Sequence, residues 1–166
     1  MRRSGIASLL FLLAGCMYSF SGSGSGGGLP SHIKTVAIIP FENLTATPEI
    51  QRELTETLRS ELQSRLGLRD APESRANSIV RGTIQRSETD IPIGFNANNR
   101  QTTSARRLLR LTIDLEIVDQ VSGKTLLQRK GMSAEGQYDE RGEADGRKQA
   151  VKRIIDDIIQ GAQSQW

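Results

Sequence analysis

Few side chains in this sequence are equipped for chemistry, and the most distinctive is a thiol. Cys16 is the only cysteine among 166 residues, so no intramolecular disulfide can form and no thiolate cluster can hold zinc. His32 is likewise the only histidine, which leaves no second imidazole with which to build a metal site; it reads as a solvated or capping residue. Two carboxylate pairs remain. Asp114 and Glu116 stand two residues apart, a spacing that puts both on one face of a strand, and Asp156-Asp157 lies between isoleucine pairs. Neither has a nucleophile beside it in the sequence, so salt pairing and solvation account for them better than acid–base catalysis. The chain has no G-x-S-x-G elbow, phosphate loop or dinucleotide fingerprint. These absences predict a non-enzyme without metal or cofactor.

The surroundings of Cys16 give its thiol a different role. Arg2 and Arg3 precede a short apolar run, Ile6 to Ala14. Crossing a bilayer as a helix takes about 20 apolar residues, so this run is too short and reads as the core of a signal peptide. Leu13-Ala14-Gly15-Cys16 places a large aliphatic residue three positions before the cysteine, with two small residues between them. The segment resembles the bacterial lipobox, in which the thiol accepts a diacylglycerol and the chain is cut to begin at that cysteine. The expected division is a signal peptide over 1–15, a lipidated Cys16 with a linker over 16–31, and one domain over 32–166. Met17 is not the Asp that retains many lipoproteins in the inner membrane; the expected location is the periplasmic face of the outer membrane, held by the lipid on Cys16.

Binding chemistry has two further candidates. Arg100, Arg106, Arg107 and Arg110 form a basic cluster, with Arg81 and Arg86 on the preceding strand and Arg129 and Lys130 on the following one. Guanidinium groups on one sheet face suit anionic phosphates; the same face could instead be solvated and balanced by Asp114 and Glu116. The long connection from Glu88 to Ala105 carries Ile91, Ile93 and Phe95 without a helix or strand period. Such a tip either touches a partner or folds back over its own sheet. Overall charge adds little. The chain has 22 Lys plus Arg against 19 Asp plus Glu, and loss of Arg2 and Arg3 leaves 20 against 19, so a nucleic-acid partner is not expected.

The elements that must position these residues follow from periodicity. Ser21 to Gly28 is a Gly/Ser coil whose eight residues reach about 16 Å. Lys34 to Pro40 is β-branched and apolar, a buried strand, followed by a turn at Phe41 to Leu44. Thr47 before Pro48 suits a helix N-cap. Ile50, Leu54, Leu58, Leu62 and Leu66 then form one apolar stripe, and Gly67 is a C-cap. Ser78 to Gln85 and Leu109 to Ile117 alternate as half-buried strands. Lys124 to Ala134 pairs with the second across a turn at Gln120 to Gly123, and Ala144 to Gln163 is an amphipathic helix. The order βαβββα predicts an α+β domain of two layers, with both helices packed on one face of a four-stranded mixed sheet.

Taken together, these residues resemble a known family. His32 to Thr45 (HIKTVAIIPFENLT), Glu53 to Glu56 in the first helix, Val80-Arg81-Gly82-Thr83-Ile84, Asp119 to Leu126, and a terminal helix ending in Trp166 are similar in order and spacing to the LptE family of lipopolysaccharide-assembly lipoproteins. The resemblance spans nearly the whole chain after Cys16. It implies two helices on a mixed four-stranded sheet, and a protein that plugs and helps assemble a large outer-membrane β-barrel, LptD, aiding delivery of lipopolysaccharide to the cell surface. Under that resemblance Arg106, Arg107 and Arg110 are candidates for contact with lipid A phosphates, and Ile91, Ile93 and Phe95 for contact with the barrel. A strand ending Ile-Ile-Pro-Phe-Glu-Asn before a helix is also similar to periplasmic lipoproteins that regulate cell-wall synthases or assemble secretion pores. The short linker speaks against an activator, which must reach across the periplasm.

Overall fold

The computed structural model describes residues 29–92, 106–139 and 141–164. Eight elements of strand and helix follow in the order ββαββββα: β1 (Thr35–Ile38), β2 (Glu42–Asn43), α1 (Glu49–Leu66), β3 (Arg69–Asp70), β4 (Ser78–Pro92), β5 (Arg107–Asp119), β6 (Thr125–Tyr138) and α2 (Glu143–Ser164). The fold is α+β with two helices and a mixed sheet, as expected, but the sheet has six strands rather than four. Its order is β3-β1-β4-β5-β6, with β2 also paired to β4. The two additional strands are two residues long, too short to leave a period in the sequence.

Parallel pairing sets β1 beside β4 through Val36–Ser78 and Ile38–Val80, and β2 beside β4 through Glu42–Thr83 and Asn43–Ile84. Between these registers the first chain advances four residues and β4 only three. Pro40, which has no N–H to give, sits in the bulge. The segment from Phe41 to Leu44, expected as a turn, therefore continues the edge of the sheet, and Leu44 N donates to Ile84 O at 3.0 Å. The bulge turns Phe41 into the core, where it is fully buried. Gly82 makes room for it: a Cβ there would lie 2.5 Å from Phe41 Cε1 and 2.3 Å from the Asp114 carbonyl oxygen.

Helix α1 buries Ile50, Leu54, Leu58 and Leu62, and ends at Gly67 in the left-handed conformation (φ 66°), as its spacing predicts. The start differs from expectation. The cap position falls on Pro48, and no side chain caps the helix. Asn43 organises the turn instead: its Oδ1 accepts from Thr45 N at 2.9 Å, and its Nδ2 donates to Thr47 O at 3.0 Å.

Strands β4, β5 and β6 form one antiparallel ladder. On β5 every second residue from Leu109 to Ile117 is buried, and α2 and α1 cover that face in a single apolar core. Helix α2 lies on β5 and β6, with α1 beside it. Near its start α2 comes very close to β6, because a Cβ on Gly136 would sit 1.7 Å from the Gly146 carbonyl oxygen. The bidentate pair Arg147–Glu53, at 3.0 Å for both contacts, ties α2 to α1. Because that approach leaves no space for a methyl group, Gly136→Ala should force α2 outward and lower stability by about 2 kcal/mol or more, within the range for overpacked sites. Urea unfolding reads this as a lower midpoint; an unchanged midpoint would mean that β6 and α2 do not meet as closely as described.

Candidate binding surface

With both helices on one side, the other face of β4–β5–β6 is left uncovered by any described element. Its side chains form rungs across the three strands, in which opposite charges meet. Glu116 Oε2 accepts from Arg81 Nε and Nη2, both at 3.0 Å, and its Oε1 accepts from Thr125 Oγ1 at 3.0 Å; the Arg81 guanidinium is the main reason the Glu116 carboxyl lies below its ordinary range. Arg110 donates through Nε and Nη2 to Glu135 Oε1 at 3.0 and 2.7 Å and lies 3.6 Å from Glu88. That hydrogen-bonded carboxylate raises the pKa of Arg110. Asp114 sits between two irregularities. Ladder register shifts by one residue on β4 at Gln85 and on β6 near Gly131 (φ 62°), and its carboxylate accepts from Gln85 Nε2 at 2.9 Å and Gly131 N at 2.7 Å. The sequence-level alternative of a face balanced by Asp114 and Glu116 thus describes much of this ladder.

The three arginines singled out from the sequence do not form one patch. Alternation along β5 puts Arg110 on the open side and Arg107 on the other, and Arg106 lies just before the strand. Arg106 is exposed and makes no ion pair with another described residue. Arg107 Nη1 donates to Asp90 Oδ1 at 2.6 Å, and Tyr138 Oη reaches the same carboxylate oxygen at 3.1 Å while accepting from Asp90 N at 2.8 Å. These bonds, led by that from Arg107, lower the Asp90 pKa and hold Asp90 in the left-handed region (φ 60°), a conformation Asp tolerates better than most residues. Ile91, expected in a loop, is half-buried on β4 opposite Leu108. The alternation of β4 is broken by its bulges, which hid the strand's last residues. Ile93, Phe95, Arg100 and Cys16 lie outside the described residues.

At the opposite end of the ladder is a cluster that sequence reading missed. Asp119 is buried where β5 turns into β6, and its carboxylate accepts from Val121 N at 2.8 Å, the Ser122 hydroxyl and His32 Nε2 at 2.9 Å. His32 therefore pins the incoming chain to the hairpin. Asn77 does the same from the residue before β4: its Oδ1 accepts from Lys34 N and Thr35 N, both at 3.1 Å, and its carbonyl accepts from Gln120 N at 2.8 Å. Leu29 packs on the core and Ile33 is buried, so the folded part begins before residue 32. The carboxylate lies between the imidazole and the hydroxyl, so this is a latch and not a relay from serine to histidine. An Asp followed by Ser and Gly at a strand end, an Asx-type turn, was the available signal.

Among the described residues no three His, Cys, Asp or Glu side chains could hold a metal ion, and no helix is long and apolar enough to cross a membrane. The Ser122 hydroxyl first, then the Val121 N–H and His32, bring the Asp119 pKa down from 3.8 to about 2 against the effect of burial. A depressed folded-state pKa stabilises above the unfolded value, and the contribution is lost as pH falls from about 4 to about 2. Asp119→Asn should therefore lower the melting temperature near neutral pH, with the gap to the parent closing near pH 2. A gap of equal size at both ends of a pH series of thermal melts would show that the charge of this carboxylate plays no part.

The family model for LptE, described as lipopolysaccharide-assembly, matches residues 33–161. No curated protein matches the chain in sequence. Solved structures share the fold at low identity. The PelC dodecamer protein from Paraburkholderia phytofirmans is 16% identical with a TM-score of 0.50, covering 86% of this chain and 96% of its own. Protein XCC0632 of Xanthomonas campestris, of family model DUF330, is 8% identical with a TM-score of 0.54, covering 75% and 81%. Hypothetical protein CT253 of Chlamydia trachomatis is 12% identical with a TM-score of 0.52, covering 76% and 94%. The match to the family model, which runs from Ile33 before β1 to Gly161 in α2, places this chain in the LptE family of lipopolysaccharide-assembly proteins.

Proposed function

We propose that this chain is an outer-membrane lipoprotein, cut after residue 15 and lipidated at Cys16, that stands in the lumen of the LptD-type β-barrel and helps assemble it. It acts by binding and not by catalysis, with the barrel and lipopolysaccharide as partners and no nucleic acid. The observation that carries this reading is the shape and polarity of the open sheet. From Arg107 to Asp119 twelve steps of about 3.3 Å give a ladder of about 40 Å, close to the thickness of a bilayer with its headgroups. Lumens of large membrane barrels are polar. A plug should accordingly present charge-satisfied surfaces, and Leu44 and Val121 are the large hydrophobics that stand exposed among the described residues.

Within that reading, Arg106, Arg107 and Arg110 are the candidate contacts for lipid A phosphates, at the end of the ladder away from His32. Arg106 has no carboxylate to give up among the described residues, whereas Arg107 and Arg110 would have to exchange Asp90 and Glu135 for the phosphate. Ile91, with Ile93 and Phe95 after it in sequence, is the candidate barrel contact. Purification of the lipoprotein from native membranes in mild detergent should bring down a stoichiometric β-barrel; a cell-wall synthase, or a ring of the chain itself, would overturn the plug. In a lipopolysaccharide-binding assay Arg106→Glu should weaken binding about tenfold, roughly the loss of one charge-assisted contact. An unaffected Kd would remove Arg106 from the site.

A further inference from the structure

The two ends of the domain differ in a way that the plug reading does not use. The chain comes in at Leu29, and around it lie the ends of several elements. Leu29, Pro30, Ile33 and Lys34 share a shallow groove with Arg65, Leu66 and Leu68 at the end of α1 and Gln163 at the end of α2. Asn77 joins Lys34 to Gln120 of the β5–β6 turn, and Arg69 N donates to Lys34 O at 3.0 Å. Both helices thus run toward this end, and the incoming chain, the start of β4 and the β5–β6 turn all meet there.

Three exposed cations occupy this end: Lys34, Arg69 and Lys124, none in an ion pair with another described residue. Most nearby acids are already engaged, and the exposed Glu73, between β3 and β4, is offset by the exposed Arg75. Asp119 is buried against His32, Asp70 lies 3.4 Å from Arg59, and Asp156 pairs with Arg65. At the tip of the turn Val121 is 73% exposed. This is the composition of a surface that meets an anionic interface: basic groups to attract it and one apolar side chain at the apex.

We propose that, in the lipid-anchored domain free of the barrel, this end docks on anionic phospholipid headgroups and stands the β4–β5–β6 ladder out from the surface along the membrane normal. The inference rests on lipidation at Cys16. Only twelve residues separate Cys16 from Leu29 in the sequence, so an anchored domain is kept close to the surface, where a Debye length of about 8 Å lets the three cations sense it. A diacyl anchor alone fixes position but not orientation. The basic end would supply orientation, presenting Arg106 about 40 Å away, on the side opposite the lipid.

The test uses the full lipidated chain, its N-terminal mass checked, in vesicles of phosphatidylethanolamine with and without roughly one third phosphatidylglycerol. A nitroxide is placed on Val121→Cys in one sample and on Leu44→Cys, level with the middle of β4 and away from this end, in another. Access of the label to a water-soluble relaxing agent should fall at least about twofold at position 121 when phosphatidylglycerol is present, and should not change at position 44. Lys34→Glu combined with Arg69→Glu and Lys124→Glu should abolish the difference. So should about 1 M salt on the unaltered protein, where the screening length drops to about 3 Å. Equal access at position 121 in both vesicles, or equal protection at both positions, would overturn the proposal while leaving the anchor intact. Absence of lipid on the N-terminal residue, with failure to float with vesicles, would instead overturn the anchor reading.

Discussion

One constraint runs through this structure: β5 is an alternating strand with a neighbour on each side, so its two faces have separate fates. Leu109, Leu111, Ile113, Leu115 and Ile117 are nearly or fully buried, and at about 25 cal/mol per Å² of apolar surface these residues alone require a helical cover. Two helices supply it, each with one stripe. Their removal to one side leaves Arg110, Thr112, Asp114 and Glu116 on the other, where no described element covers them. A register slip of one residue would exchange the two sets. Bulges occur on the flanking strands, opposite an unbroken β5, so the central alternation is kept while its neighbours bend around it.

The same arrangement explains why the domain has two different ends. Each helix follows a strand that runs away from the end where the chain comes in, α1 after β2 and α2 after β6, so both finish at that end. Carbonyl ends of helices carry partial negative charge, and the basic residues Arg65, Lys34 and Arg69 gather where those ends meet. The cluster of Asp119, His32 and Asn77 then closes that end by satisfying backbone N–H groups of the incoming chain and the hairpin turn. At the other end the fastening is Asp90 with Arg107 and Tyr138, one residue from each strand of the ladder. Both fastenings are carboxylates held below their ordinary pKa, Asp90 chiefly by Arg107 of β5 and Asp119 chiefly by the Ser122 hydroxyl of its own turn, which places ionised groups at the two extremities of the ladder.

Much of this was legible in the sequence. The leucine step of four in α1, the strict alternation of β5, and Gly67 at the helix end each express a single local rule, and each appears in the structure where the rule puts it. Features that depend on two distant segments were not legible. β2 and β3 are short, and they exist because β4 and β1 offer them partners. Asn43 takes over the organising role expected of Thr47 because β2 holds it beside the turn. Strand β4 continues to Pro92, past the residues where its own alternation fails, because β5 supplies the pairing. Among the site residues, sequence identified the basic rows but not which carboxylates face them, since Glu135 and Asp90 are remote from Arg110 and Arg107 along the chain.

Those carboxylates set the terms on which any phosphate could bind. At an arginine without a partner, an anion adds a charge-assisted contact and gives up only water. At Arg110 it must displace Glu135, which receives two hydrogen bonds, and leave that carboxylate beside Glu88 without its cation. Exchange of this kind yields little net affinity but strong selectivity, because only a ligand presenting several anionic oxygens at the right spacing recovers what is lost. A surface that hands lipids onward benefits from contacts that release as readily as they form. Under the proposed contact with lipid A phosphates, a charge-satisfied ladder exchanges one ion pair for another, where an open basic groove would retain its ligand.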